Sequence, residues 1–326
     1  MKSNPFTHVM ASVLLSLSMP MGANAQTVSA EQMVDSLNKV FGAHHGMRAS
    51  HAKGVCVAGE FIPSGDAAMV TSAGLLHAGT SKVTGRFSIG GGNPKVSDKA
   101  KGVRGLALHL DSGKEVMDLV TISSPVFFAS TPENFVAFLE ARQPDSNTGK
   151  PDPVKVKAYN ESHHDVKAFN DYIGKSEVTA SYAQTPYWSG NAFRLSNATG
   201  KTTHARWRIE PVAGRLGLTE EQHKTLPDDF LNADLEQRLK HGPVEFELWL
   251  QIAGADDPVN DPTQEWPANR PQIKVGKLSL SSMGGNCDGM MFNPMQLPKG
   301  IAASDDPILQ VRAAAYGVSL VRRSAH

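Results

Sequence analysis

Three short stretches carry side chains that could do chemistry. "HHGMRASHAKGVCVAGEF", residues 44–61, sets Arg48 three positions before His51, at the mouth of an alternating apolar segment. "VTGRFS" places Arg86 two positions before Ser88. "DDPILQVRAAAYGVSLVRR" spaces Arg312 and Tyr316 four apart, one turn apart on the same face of a helix. Histidine moves protons near neutrality, and arginine holds anions in a fixed fork. Each stretch also has an ordinary reading. A histidine beside a strand is commonly structural, and this chain has 12. An arginine and a tyrosine one turn apart commonly pack or face solvent. None of the three alone specifies a reaction, so their meaning depends on the elements that hold them.

Those elements can be read from periodicity. "SAEQMVDSLNKVFG" is a helix with a Ser29/Gln32 capping box, a face of Met33, Leu37, Val40 and Phe41, and Gly42 as stop. From Gly54 to about Phe128, short alternating or β-branched runs ("GVCVAGEF", "KVTGRFSI", "VRGLALHL", "DLVTISSPVFF") are separated by turn residues. "GGGNP" at 90–94 is loop chemistry, because no Gly-Lys-Ser/Thr follows to make a phosphate cradle. "TPENFVAFLEAR" is a helix capped by Thr131, with Pro132 at its first position. Residues 153–174 form a polar helical stretch whose "SHHD" is a solvated face rather than a metal site. Strands return at "NAFRLSN" and "THARWRIEPV". A helical interlude follows, with a Thr219/Gln222 capping box and a helix over 227–242, then the amphipathic "VEFELWLQI" and "KVGKLSL". Asp306 caps and Pro307 opens the last helix, which carries Arg312 and Tyr316. Strands, helices, strands and a terminal helix make an α+β chain with a largely antiparallel sheet or barrel.

Composition narrows the function classes. Lys+Arg and Asp+Glu both number 32, so no basic excess marks a nucleic-acid footprint. "MKSNPFTHVMASVLLSLSMPMGANAQ" has the charged, apolar, small-residue order of a secretory signal, with Ala25 before the cleavage point. Residues 1–25 are therefore expected to be a signal peptide, and 26–326 a single exported, periplasmic domain. No later run approaches the roughly 18 apolar residues of a membrane helix. The two cysteines, Cys56 and Cys287, could pair in an oxidising compartment, and sequence alone leaves that open. There is no CxxC or HExxH.

Taken in order, "RxxHAKG", "VTGRFS", "RGLALHL", "DLVTISSPVFF" and "FNPMQLPKGIAASDDPILQVRxxxY" resemble the haem catalase family, in particular the short, exported catalase-related peroxidases. The resemblance runs from about Met47 to Arg323. It implies an eight-stranded antiparallel β-barrel with surrounding helices and a haem b pocket closed by the helix that bears the iron ligand. Tyr316 matches that ligand. Arg312 would stabilise its phenolate, which favours ferric iron. His51 matches the distal histidine, which takes a proton from bound peroxide and returns it to the departing oxygen. Ser88 matches the serine that orients the imidazole. Arg48, Arg86 and Arg323 match the arginines that pair with the haem propionates. Phe128 and Phe135 match aromatics lining the pocket, and Phe127 joins their packing.

The departures from the family pattern carry expectations too. Aligned on Pro125, the distal asparagine of large catalases is Ser123 here. A serine reaches less far than an amide, so peroxide reduction should survive and disproportionation should be weak. The valine and aspartate of the narrow channel fall at Gly90 and Gly102, which implies a wider entrance for a bulkier donor. The long C-terminal segments of large catalases have no counterpart, which implies no bound NADPH and a monomer or homodimer. The expected function is a haem-dependent peroxidase that reduces hydrogen or organic peroxides with an external small-molecule electron donor in antioxidant defence. Rival readings are hydroperoxide rearrangement of the allene oxide synthase type and a non-catalytic haem-binding barrel. His51 counts against the second, because a carrier needs no acid–base group.

Overall fold

The computed structural model describes Met1 and residues 28–325. The expected signal peptide, including Ala25, lies almost wholly outside the described residues. In chain order the elements are α1 (Ala30–Phe41), β1 (Gly54–Pro63), β2 (Ser81–Ile89), β3 (Arg104–Asp111), β4 (Val116–Ile122), α2 (Pro132–Glu140), α3 (Pro153–Ser162) and α4 (Lys167–Lys175). These are followed by β5 (Tyr187–Trp188), β6 (Phe193–Ser196), β7 (Thr202–Pro211), α5 (Glu220–Thr225), α6 (Phe230–His241), β8 (Val244–Ile252), β9 (Gln272–Met283), β10 (Ile301–Ala303) and α7 (Pro307–Ser324).

The sheet is antiparallel throughout and closes on itself. Its order is β1-β2-β3-β4-β5-β7-β8-β9, with β9 returning to pair with β1. That is the expected eight-stranded barrel. β6 and β10 extend it beside β7, whose one edge is shared by β5 and β6. Closure leaves no long unpaired edge among the eight.

Alternation decides which side chains meet inside. Val83 and Phe87 of β2, Leu106, Leu108 and Leu110 of β3, Met117 and Leu119 of β4, and Phe246, Leu248 and Leu250 of β8 are buried in one core with Trp207, Tyr182 and Tyr187. Phe87 stacks on Tyr182 at 5.0 Å between centroids. Each such side chain contributes roughly 1.5–3 kcal/mol. A surface ion pair such as Lys157–Glu161 contributes about 0–1 kcal/mol. The barrel interior therefore dominates the stability.

The other face of β1–β4 is different. Register lines up Cys56, Arg86, Ala107 and Val120 in one row, and Gly54, Ser88, Gly105 and Ile122 in the next. These rows make a floor on the outside of the barrel wall. Helices α1, α2 and α7 pack against one another above it, through Met33, Phe135, Leu139 and Ile308. The site lies between this floor and these helices.

Two boundaries differ from the sequence expectation. β4 stops at Ile122, so "SSPVFF" leaves the sheet. Pro125 has no N–H to give a ladder, and Phe127 N–H instead donates to Pro262 O at 2.8 Å. The helix expected over 227–242 begins at Phe230. "GGGNP" is a turn, as expected. His163 stacks on Tyr159 at 3.9 Å.

Candidate active site

A cavity of about 300 Å³ separates the barrel floor from the helices. His51 enters it from the loop between α1 and β1. Among the described residues it is the one non-glycine residue with positive φ, 56°. Its Nδ1 lies 2.9 Å from Ser88 Oγ, which fixes the ring and leaves Nε2 for the cavity. Space for the ring comes from Gly105. A Cβ there would sit 2.8 Å from His51 Nδ1 and 2.5 Å from Ser88 Oγ. Burial first, then the charges of Arg86, Arg312 and Arg48, pull the imidazole down to about 4. The ring is therefore neutral at ordinary pH and can accept a proton.

α7 supplies the opposite wall. Arg312 Nε and Nη2 both donate to Tyr316 Oη, at 3.1 and 2.7 Å. Arg312 Nη1 donates to Asn191 Oδ1 at 2.7 Å, and Asn191 Nδ2 donates to Asp306 Oδ2 at 2.6 Å. Asp306 also accepts from the Ile308 and Leu309 N–H groups as the cap of α7. The helix cap and the tyrosine thus belong to one hydrogen-bonded chain. Sequence reasoning found Asp306 as a cap and missed Asn191. No local motif marks an asparagine whose partner is 121 residues away.

One rim of the cavity is cationic. Arg48, Arg86 and Arg323 gather there with the loop that follows β9. Arg48 donates to the carbonyls of Cys287 and Met290, and Arg323 donates to Met290 O at 2.8 Å. Burial first, then the like charges of Arg86 and Arg323, lower Arg48 to about 9. Burial and Arg86 also lower Arg323. Arg48 Nε is buried with no hydrogen-bond partner. The acid paired with this group is Asp288, whose side chain is 73% exposed. A rim of mutually repelling arginines short of anions is suited to a ligand with carboxylates on its edge.

The remaining wall is apolar. Phe127, Phe128, Phe135 and Phe138 form a cluster in which Phe128 lies 4.2 Å from both Phe127 and Phe138 and 5.3 Å from Phe135. Met33, Leu37 and Phe41 of α1 complete it. An apolar cavity with a cationic rim, a phenol held by two guanidinium N–H groups and a neutral imidazole fits an iron porphyrin. Arg48, Arg86 and Arg323 would take its carboxylates and Tyr316 its metal.

The structure thus gathers Arg48, His51, Arg86, Ser88, Phe127, Phe128, Phe135, Arg312, Tyr316 and Arg323 at one cavity. It does not bring Ser123 there. Ser123 Oγ accepts from Arg104 N–H at 2.8 Å, and Ser123 N–H donates to Arg104 O. The hydroxyl closes the β3–β4 ladder, so the catalytic position expected for Ser123 is not realised. Of the two expected channel glycines, Gly90 lines the cavity and Gly102 does not. Cys56 and Cys287 are disulfide-bonded, which settles a pairing the sequence left open.

Comparison with known proteins agrees with this geometry. A family model described as "Catalase" matches residues 18–325. The chain belongs to the catalase family. It is 34% identical over 308 residues to a "Catalase-related peroxidase" of Synechococcus elongatus, covering 93% of this chain and 91% of that one. It is 33% identical to a protein of the same name from Mycolicibacterium paratuberculosis, covering 91% and 95%. A catalase of Schizosaccharomyces pombe is 27% identical, and the match spans 56% of its length. A fungal catalase crystal structure superposes with a TM-score of 0.77 at 24% identity, over 85% of this chain and 59% of that one. That likeness concerns the fold alone. The family implies a haem cofactor, which agrees with the slot and its cationic rim.

Proposed function

We propose that this protein is a peroxidase that reduces hydrogen peroxide or organic hydroperoxides with electrons from an external donor, using a haem b whose iron Tyr316 would hold. Its family membership and its catalase-related relatives make it a peroxide oxidoreductase. The observation that carries the finer reading is the pairing in one cavity of His51, oriented by Ser88, with Tyr316, held by Arg312.

A haem held in the slot by Tyr316, Arg48, Arg86 and Arg323 would supply the redox chemistry of peroxide reduction. The chain's own residues do the rest. With Nδ1–H donated to Ser88 Oγ, His51 Nε2 is a free base. It would take a proton from the peroxide and return it to the departing oxygen, so that the leaving group is water or an alcohol. Arg312 donates two hydrogen bonds to the Tyr316 oxygen that would hold the metal. The overall balance is ROOH + 2e⁻ + 2H⁺ → ROH + H₂O, with both electrons from the donor.

Weak oxygen evolution follows from Ser123. No amide stands at its position, and its hydroxyl is turned into the sheet, so little besides His51 orients a second peroxide. The apolar wall of phenylalanines and α1 side chains suits organic hydroperoxides and a bulky donor. Export to the periplasm by the N-terminal segment, a single haem-binding domain over 26–326 and a role in peroxide defence complete the proposal. The test is peroxide turnover by purified protein with and without a phenolic donor, together with an absorption spectrum before and after peroxide. Donor oxidation with little oxygen is expected. Vigorous oxygen release without donor oxidation would overturn it.

A further inference from the structure

The family resemblance assigns Arg86 to a haem propionate, and its observed contacts give it a second role. Arg86 is 5% exposed. Its Nη1 donates to His51 O at 2.8 Å, its Nη2 to Ala52 O at 3.0 Å and its Nε to Asp288 Oδ1 at 2.9 Å. Every nitrogen of the guanidinium is engaged, and two of the three hold the backbone at or next to His51.

That backbone needs holding. At φ 56° the His51 main chain occupies the left-handed region, which costs energy for any residue with a Cβ and persists only where the surroundings enforce it. Few other anchors are near. Ala52 N–H donates to Gly91 O at 3.1 Å, and the ring reaches Ser88. Arg86 is fixed in turn. It sits in the strand row between Cys56 and Ala107. Asp288 follows Cys287, which the disulfide ties to Cys56 in the same row.

We propose that Arg86, braced by Asp288, is a positioning residue for His51, clamping the carbonyls of residues 51 and 52 so that the left-handed turn aims the imidazole into the cavity. This rests on the peroxidase reading for its functional consequence and on the contacts alone for its structural one. The same clamp makes the loop after β9 part of the machinery that sets the distal histidine.

The test uses Arg86→Lys and Asp288→Asn in full-length protein. A lysine keeps the charge but cannot bridge two carbonyls and a carboxylate. Asp288 is exposed, so Asp288→Asn should fold normally. The first readout needs no haem. It is the ¹³Cε1 resonance of His51 in labelled cofactor-free protein, assigned by its loss in His51→Gln. The second is the second-order rate with hydrogen peroxide per bound haem.

Arg86→Lys should shift the His51 resonance and lower the rate per haem at least tenfold. Asp288→Asn should do both to a lesser degree, with a two- to fivefold rate loss. An unmoved resonance and an unchanged rate per haem, with only haem affinity reduced, would overturn the proposal and leave Arg86 a propionate ligand. Should Arg86→Lys fail to fold, Asp288→Asn decides by the same two readouts. If the wild type proves unreactive toward peroxide, the peroxidase reading fails, and the resonance still decides the clamp.

Discussion

In the proposed mechanism His51 acts through a neutral ring in a strained turn, and both features can be tested at the residue. Removing the ring (His51→Ala) should lower the peroxide rate per haem by about 10²- to 10⁴-fold, the range of general acid–base catalysis, with haem content unchanged. The pH dependence follows from the depressed value of about 4. The base form persists through neutrality, so the rate should stay flat and fall as pH drops through about 4 rather than near 6.5. Stability moves in the same direction. Between about 4 and 6.5 the unfolded chain binds more protons at this site than the folded one, so acidification through that window destabilises the fold. Thermal melts of cofactor-free wild type and His51→Gln should diverge there, with the wild type losing more. Gly105→Ala offers a separate check. Its Cβ would press on both His51 and Ser88, so the rate should fall about tenfold. A wild-type rate would show that the ring has room to spare.

At the scale of elements, α7 couples the cap to the tyrosine. Asp306 is fully buried, caps the helix and holds Asn191, which holds Arg312. Asp306→Ala should cost about 1–2 kcal/mol for the lost cap and more for the orphaned amide. It should also lower haem content, because Tyr316 loses the support behind Arg312. An unchanged melt and full haem occupancy would show that the cap and the site are independent. The cap, Pro307 and the Arg312/Tyr316 spacing could be read from the sequence because they are local. Asn191 could not, because its role exists only once the segment after β5 is folded against α7. β5 itself is two residues long. No periodicity marks so short a strand, and its place follows from the need to close the barrel between β4 and β7. Ser123 shows the opposite error. The sequence placed Ser123 at the cavity, but Ile122 beside it lines the cavity and the Ser123 hydroxyl accepts from a backbone N–H across the β3–β4 ladder.

For the whole molecule, the barrel interior was the most legible part. The alternation in "VEFELWLQI" maps onto the buried positions of β8 up to Leu250. The side of the wall that would carry the cavity was less legible, because both faces of β2–β4 are largely covered. The disulfide joins residues 231 positions apart. Replacing both cysteines by serine should lower stability by roughly 2–5 kcal/mol and loosen the loop bearing Asp288 and Met290, on which Arg48, Arg86 and Arg323 rest. Chemical unfolding of the double variant measures the first effect. Haem dissociation measures the second and should be faster.

That long separation also sets a timetable. His51 and its floor come from the first third of the chain, Asn191 from the middle, and Tyr316 from the final helix. With Tyr316 as the proposed iron ligand, a nascent chain lacking α7 would have a floor and nothing to hold the metal. On that assignment haem insertion would be a late step, after the two ends have met.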